Sequence, residues 1–145
     1  MLRERRDNMT NTELILEAKK ARERAYAPYS HHSVGAALLT KSGKIYHGCN
    51  IENAAYGPTN CAERTAFFRA IYDGEREFAK IAIVGGMKNT DTNSPCAPCG
   101  VCRQVMMEFC NPETFKIVLA NGENEPLEYT LKELLPLGFG PDNLG

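Results

Sequence analysis

The chain has no tryptophan, and no apolar run in it approaches the roughly 18 residues that a membrane-spanning helix needs. It also has no excess of either charge. Seventeen basic and 18 acidic residues give a formal net charge of -1, at 24% charged residues. Proteins that grip nucleic-acid backbones carry a clear basic excess, and single-strand binders add aromatic residues interleaved with basic ones. Neither is present, so no nucleic-acid partner and no membrane partner are expected. The first eight residues are charged and lack the apolar centre of a secretory leader. The expectation is a cytoplasmic protein, disordered over 1–9, with Met9 as an alternative start. Repeats, linkers and low-complexity tracts are also missing. A chain of 145 residues, 43% of them hydrophobic, is therefore read as one globular domain spanning 1–145.

What is present is cysteine. Six thiols in a reducing compartment read as metal ligands or free thiols rather than as a disulfide framework. Four of them fall in two short stretches, Thr59-Asn60-Cys61-Ala62-Glu63-Arg64-Thr65 and Pro95-Cys96-Ala97-Pro98-Cys99-Gly100-Val101-Cys102-Arg103-Gln104. Thiolates bind zinc well, and zinc with three protein ligands keeps a fourth position open for water.

The elements that carry these stretches follow from local pattern. Thr10 with Glu13 is a capping box. Leu14, Ala18, Ala21 and Ala25 then mark one face of a helix that Pro28 ends. Residues 34–39 read as a buried strand, with a turn at 41–44 and an antiparallel return strand over 45–49. Residues 50–60 are a loop, and 61–73 a second helix stopped by Gly74. An apolar strand follows at 81–84, without polar alternation, as expected when helices cover both faces. After a loop, Pro98 marks the first turn of a third helix that runs to about residue 110. Residues 115–120 form another strand, Asn121-Gly122 a turn, 127–130 a short last strand and 131–135 a short helix. Strands alternating with helices predict a three-layer α/β/α sandwich around a mixed sheet of about five strands. Both cysteine stretches start helices that follow sheet elements, where open α/β folds place their sites.

Cysteines three apart at a helix start share one face. Cys96 with Cys99 and Cys99 with Cys102 both have that spacing. Pro98 arbitrates: it puts Cys99 and Cys102 within the helix and Cys96 before it, so Cys99 and Cys102 with Cys61 are the expected ligand set. Three thiolates around zinc leave a net charge of about -1, which opposes ionisation of a water whose pKa must approach roughly 7. Two helix N-termini offset that charge, and either Arg64 or Arg103 could hydrogen-bond a sulfur. A glutamate in the first turn of a helix is favourable by itself. Two residues from a zinc ligand, however, Glu63 reads as a general acid/base. A ligand, one residue, Glu, and later Pro-Cys-x-x-Cys is the pattern of zinc nucleobase deaminases.

Beyond that pattern the chain resembles the homotetrameric cytidine deaminase family from the first helix to about residue 144. The resemblance is carried by Tyr29-Ser30 with Val34-Gly35-Ala36-Ala37-Leu38, by Gly48-Cys49-Asn50-Ile51-Glu52-Asn53-Ala54, by Asn60-Cys61-Ala62-Glu63-Arg64, and by Pro98-Cys99-Gly100-Val101-Cys102-Arg103-Gln104-Val105. It implies one Zn2+ per subunit on Cys61, Cys99 and Cys102, with Glu63 carrying protons between the attacking water, the pyrimidine N3 and the departing ammonia. It implies Asn50 and Glu52 on the ribose hydroxyls, backbone around Ala62 on the base, and Arg64 tuning the thiolates. Ala54, Tyr56 and Phe139 sit where contacts from neighbouring subunits of a homotetramer with shared active sites would come from. The implied activity is hydrolytic deamination of cytidine and 2'-deoxycytidine in pyrimidine salvage, on the free nucleoside.

Two positions depart from the family pattern. His32 stands where the family often has a phenylalanine packed on the nucleoside. Cys96 is an extra thiol, read as spare and partly buried; as a fourth ligand it would close the site. Cys49 and Cys110 read as small core residues. Phe67-Phe68 and Met106-Met107 read as core or subunit interface. Three rival readings stand beside this one. Blasticidin-S deaminase shares fold, zinc motif and tetramer. An editor of cytosine in nucleic acid conflicts with the charge and the lack of tryptophan. A structural four-cysteine zinc module conflicts with the isolation of Cys61 and leaves Glu63 without a role.

Overall fold

The computed structural model describes residues 9–145. Of the stretch expected to be disordered, residues 1–8 lie outside the described residues. Met9 packs against the core, and its carbonyl accepts from Lys80 Nζ at 3.0 Å.

Helix α1 (Asn11–Arg22) opens on the expected capping box. Thr10 Oγ1 accepts from the Glu13 N–H, and the Glu13 carboxylate accepts from the Thr10 N–H, both at 3.1 Å. The helix ends at Arg22 rather than near Pro28. Beyond it the backbone pairs elsewhere: Tyr26 donates to the Asn50 carbonyl at 2.9 Å and accepts from the Glu52 N–H at 2.8 Å. That exchange ties the end of the α1 connection to the loop after β2, a tertiary pairing that local periodicity does not register.

Strands β1 (His32–Thr40) and β2 (Ile45–Cys49) form the hairpin; α2 (Ala62–Tyr72), β3 (Phe78–Met87), α3 (Gly100–Phe109), β4 (Lys116–Leu119), β5 (Leu127–Thr130) and α4 (Leu131–Leu134) follow, with a 3-10 turn at Pro141–Leu144. The sheet order is β2-β1-β3-β4-β5. Only β3 and β4 run parallel, so the sheet is mixed and five-stranded as expected. β1 and β3 extend several residues past their apolar centres, because ladder hydrogen bonds do not need apolar side chains.

The two faces of the sheet are separate cores. Ala36, Leu38, Ile81, Ile83, Ile117 and Leu119 pack with Phe67 of α2, Met106 of α3 and Leu131 of α4. The alternate residues Ala37, Leu39, Ala82, Val84 and Val118 pack with Leu14, Ile15 and Ala18 of α1. With period 2 in a strand and cores on both sides, every position must be apolar. Phe67 is buried but its neighbour Phe68 is about half exposed, and Met106 is buried while Met107 is only partly so.

Gly48 on β2 places the start of α2. A Cβ there would lie 2.2 Å from the Ala62 carbonyl oxygen and 2.6 Å from the Ala66 nitrogen. Both are backbone atoms that cannot swing away, so Gly48→Ala must push α2 off the sheet. The expected loss is about 3 kcal/mol, the upper range for overpacking, read by urea denaturation. Activity should fall further than stability, since the displaced turn carries Glu63.

Candidate metal centre

Both helix starts are built alike. Cys61 caps α2 and Cys99 caps α3, each in extended backbone with ψ near 160–170° and neither with a side-chain capping bond. Serine or aspartate in that position would accept from the helix's own N–H groups. The thiols do not, so their sulfurs stay available. Pro98 lies one residue before the Cys99 cap, not in the first turn as expected. It still sets the boundary, since it holds the chain extended on entry to the helix.

Three positions on from each cap come Arg64 in α2 and Cys102 in α3. The i,i+3 spacing returns both side chains over their cap residues. Arg64 Nη2 donates to Cys61 Sγ at 3.3 Å. Cys102, fully buried, closes the set. The Sγ atoms of Cys61, Cys99 and Cys102 all lie within 4.8 Å of one another, and Cys61 and Cys99 are 3.8 Å apart. Sulfurs about 2.3 Å from a tetrahedral zinc are themselves about 3.8 Å apart, while a disulfide needs about 2.05 Å. The spacing fits zinc and excludes a bridge.

The charges are consistent with that use. A hydrogen bond from the Cys102 thiol, with Arg64 behind it, pulls the Cys61 thiol down to about 5. Cys102 is pushed up by the same bond and by burial. A metal that requires thiolates displaces the protons these thiols hold. Burial works against the Arg64 charge, but the two sulfurs outweigh it and hold the guanidinium protonated. Arg103 plays no such part: its Nε and Nη1 donate to the carbonyls of Pro98 and Leu134.

Glu63, the second residue of α2, is 4% exposed. Burial raises its carboxyl above the ordinary range, and the Cys61 charge adds to this; hydrogen bonds from its own N–H and from Cys102 oppose it. A carboxyl that holds a proton more tightly beside an open metal position is suited to carry one.

Cys96 is outside the thiol cluster. Its sulfur lies over Gly85 at the end of β3, 2.7 Å from where a Cβ would stand, and its side chain packs against the first core. It is a partly buried thiol that is not among the three sulfurs close enough to share one ion, so a zinc ion held there would keep its fourth position open. Cys110 is a core residue; Cys49 is half-buried, with its sulfur 3.4 Å from the Arg24 carbonyl.

The strand end and the loop after β2 carry the polar residues Asn50 and Glu52. The Asn50 amide is committed to β1: Oδ1 accepts from the Val34 N–H and Nδ2 donates to the His32 carbonyl, both at 2.8 Å. One N–H and one lone pair remain. Glu52 Oε1 accepts from the N–H groups of Tyr29 at 3.0 Å and Ser30 at 3.1 Å, and Oε2 takes the Ser30 hydroxyl. Those bonds, the hydroxyl first, hold the Glu52 carboxyl below its ordinary range. Sequence reasoning assigns no role to Ser30. The signal was a hydroxyl two residues before a strand, where it accepts from the His32 N–H at 3.0 Å. Glu52 and Tyr56 share a cleft of about 370 Å³ with Tyr29, Ser30, Asn53 and Thr59. His32 Nε2 comes within 3.4 Å of the Gly85 Cβ position, next to Cys96. Ala54 is exposed, as is Tyr56 with φ at 61°. Phe139 is exposed beside α3, where its carbonyl accepts from Gln104 Nε2 at 2.8 Å.

Comparison with known proteins agrees with this geometry. Residues 9–118 match the family described as the cytidine and deoxycytidylate deaminase zinc-binding region. The chain is 54% identical over 131 residues to a cytidine deaminase of Sporosarcina psychrophila, covering 90% of this chain and 92% of the relative. It is 51% identical, over 90% of this chain and 95% of the relative, to that of Halalkalibacterium halodurans. The crystal structure of cytidine deaminase from Burkholderia pseudomallei superposes with a TM-score of 0.81 at 53% identity, over 90% of this chain and all of that one. The Mycobacterium tuberculosis cytidine deaminase gives 0.77 at 35%, over 92% and 99%.

Proposed function

The chain belongs to the cytidine and deoxycytidylate deaminase zinc-binding family, and from that premise we propose that it deaminates cytidine and 2'-deoxycytidine hydrolytically, releasing uridine or 2'-deoxyuridine and ammonia, in pyrimidine salvage. The observation that carries this reading is the buried Glu63 carboxyl beside three sulfurs spaced for one metal ion.

Cys61, Cys99 and Cys102 would hold the zinc, which when bound would supply the Lewis acidity that brings water near pKa 7. Glu63 accepts a proton from the attacking water and delivers it to N3 of the pyrimidine. The water oxygen bonds to C4; Glu63 then takes the proton of the hydroxyl now on C4 and transfers it to the amino group, the bond from C4 to that nitrogen breaks, and ammonia leaves as the C4 carbonyl forms. Arg64 and the two helix N-termini offset the charge of three thiolates. Asn50, with its remaining N–H and lone pair, and Glu52 hold the sugar hydroxyls, and the backbone at Ala62 meets the base.

The working form is a cytoplasmic homotetramer with shared sites. Tyr56 at 75%, Leu137 at 105% and Phe139 at 57% exposure support it, since side chains of that size gain most by entering a neighbour. Ala54, Tyr56 and Phe139 are the residues placed to close the adjacent pocket. Among the described residues no helix is long and apolar enough to cross a membrane.

Ammonia release from cytidine and deoxycytidine, with zinc measured on the same preparation, tests the reading. Turnover of both is expected; a zinc-loaded enzyme inert to both sinks it. Glu52→Gln separates the sugar contact from the chemistry. It should raise KM about 10-fold or more, the range for losing a charged hydrogen bond, with a smaller change in kcat.

A further inference from the structure

Of the three ligands, Cys99 has the least to hold it. Cys61 takes a hydrogen bond from Arg64, and Cys102 is buried within α3. Cys99 is exposed and caps α3 with no side-chain bond to the helix. Apart from the Cys61 sulfur 3.8 Å away, its own sulfur is aimed by the backbone that delivers it.

That backbone is tied down by Arg103. Nε donates to the Pro98 carbonyl at 2.8 Å, the peptide that leads directly into Cys99. Nη1 donates at 2.5 Å to the carbonyl of Leu134, the last residue of α4. The last carbonyls of a helix have no partner within it, so the guanidinium satisfies one of them. α4 is itself anchored. Leu131 is fully buried, Thr130 and Glu133 form a capping box, and the Leu131 N–H donates to the Phe115 carbonyl at 3.1 Å. A planar fork can span two fixed carbonyls in a way that the point charge of lysine cannot.

We propose that Arg103 is a positioning residue for the thiol cluster: it braces the peptide before Cys99 against the end of α4 and so sets the aim of the Cys99 sulfur. The proposal rests on the reading that the three thiols hold zinc.

The test uses the zinc-loaded enzyme and the variants Arg103→Lys, Arg103→Met and Gln104→Ala. Three quantities are measured: the rate of zinc transfer to a chromophoric chelator, the rise in Tm that zinc produces, and the absorption spectrum of the cobalt-substituted protein. Supporting residues around a metal site change affinity about 10-fold or more. Both Arg103 variants should therefore lose zinc about 10-fold faster, show a smaller zinc-dependent rise in Tm and shift the cobalt bands. Gln104→Ala, which ties only the tail at Phe139, should release zinc like wild type. A merely structural arginine would lower Tm with and without zinc equally. Arg103→Lys with wild-type zinc release and an unchanged cobalt spectrum overturns the proposal. If Arg103→Met does not fold, Arg103→Lys decides alone. A wild-type protein that binds no zinc overturns the zinc reading, and the proposal with it.

Discussion

Glu63→Gln is expected to lower kcat for cytidine about 10²–10⁴-fold, the span that positioned proton transfer contributes, while the protein keeps its zinc. Two features make the variant informative. Glu63 is not a ligand, so the metal set of Cys61, Cys99 and Cys102 is untouched. It is also buried, and glutamine matches its volume, so no cavity opens in α2. Burial already disfavours the charged carboxylate, so the neutral amide should not destabilise the fold. The expected pattern is full zinc occupancy, Tm at or above wild type, and activity nearly gone. A variant that stayed within about 10-fold of wild type would remove the proton carrier from the mechanism.

Loss of a thiol should be the other severe change. Cys99→Ser and Cys102→Ala are both expected to abolish stable zinc binding and, with it, measurable deamination. They should differ in the metal-free state. Cys99 is exposed, so Cys99→Ser should leave the apo protein close to wild type in Tm. Cys102 is fully buried among core residues, and its removal leaves a void that costs about 1 kcal/mol or more. In wild type, saturating zinc at 100 times Kd adds about 2.7 kcal/mol; neither variant should show that gain in a thermal shift experiment. Either variant retaining stoichiometric zinc would mean that the ligand set is wrong.

Much of the site was legible in sequence because its parts are local. The i,i+3 returns of Arg64 onto Cys61 and of Cys102 onto Cys99 are set within single helical turns, and the spacing states them directly. Glu63 beside Cys61 is equally local. The two-sided burial of 81–84 was legible for the same reason, since a short apolar run without alternation is what a strand covered on both faces carries. Asn50 shows the limit. Its type suits a sugar diol, but half of its hydrogen-bonding capacity goes to the backbone of β1, residues 16 and 18 positions away in the chain. The early end of α1 is another case, because Tyr26 leaves helical spacing to pair with the Asn50–Glu52 segment.

The amino-acid sequence by itself determined the chemistry available: three cysteines at two helix starts, a glutamate two residues from one of them, an amide and a carboxylate in the loop before the first of those helices, and no charge excess for another class of partner. The tertiary structure decided which of the candidates meet. Cys61 and Cys99 are 38 residues apart and converge because pairing on either side of β1 brings the C-terminal ends of β2 and β3 to the same end of the sheet. Close backbone packing on Gly48 then sets α2 at the right depth, while Cys96, three residues from Cys99, is carried away over Gly85. Arg64 lies three positions past its cap and Arg103 four past its own, and only Arg64 turns to a sulfur, because the Pro98 carbonyl and the end of α4 claim the other. Spacing along one helix is set by short-range geometry; convergence between helices is set by sheet register and by which backbones can approach.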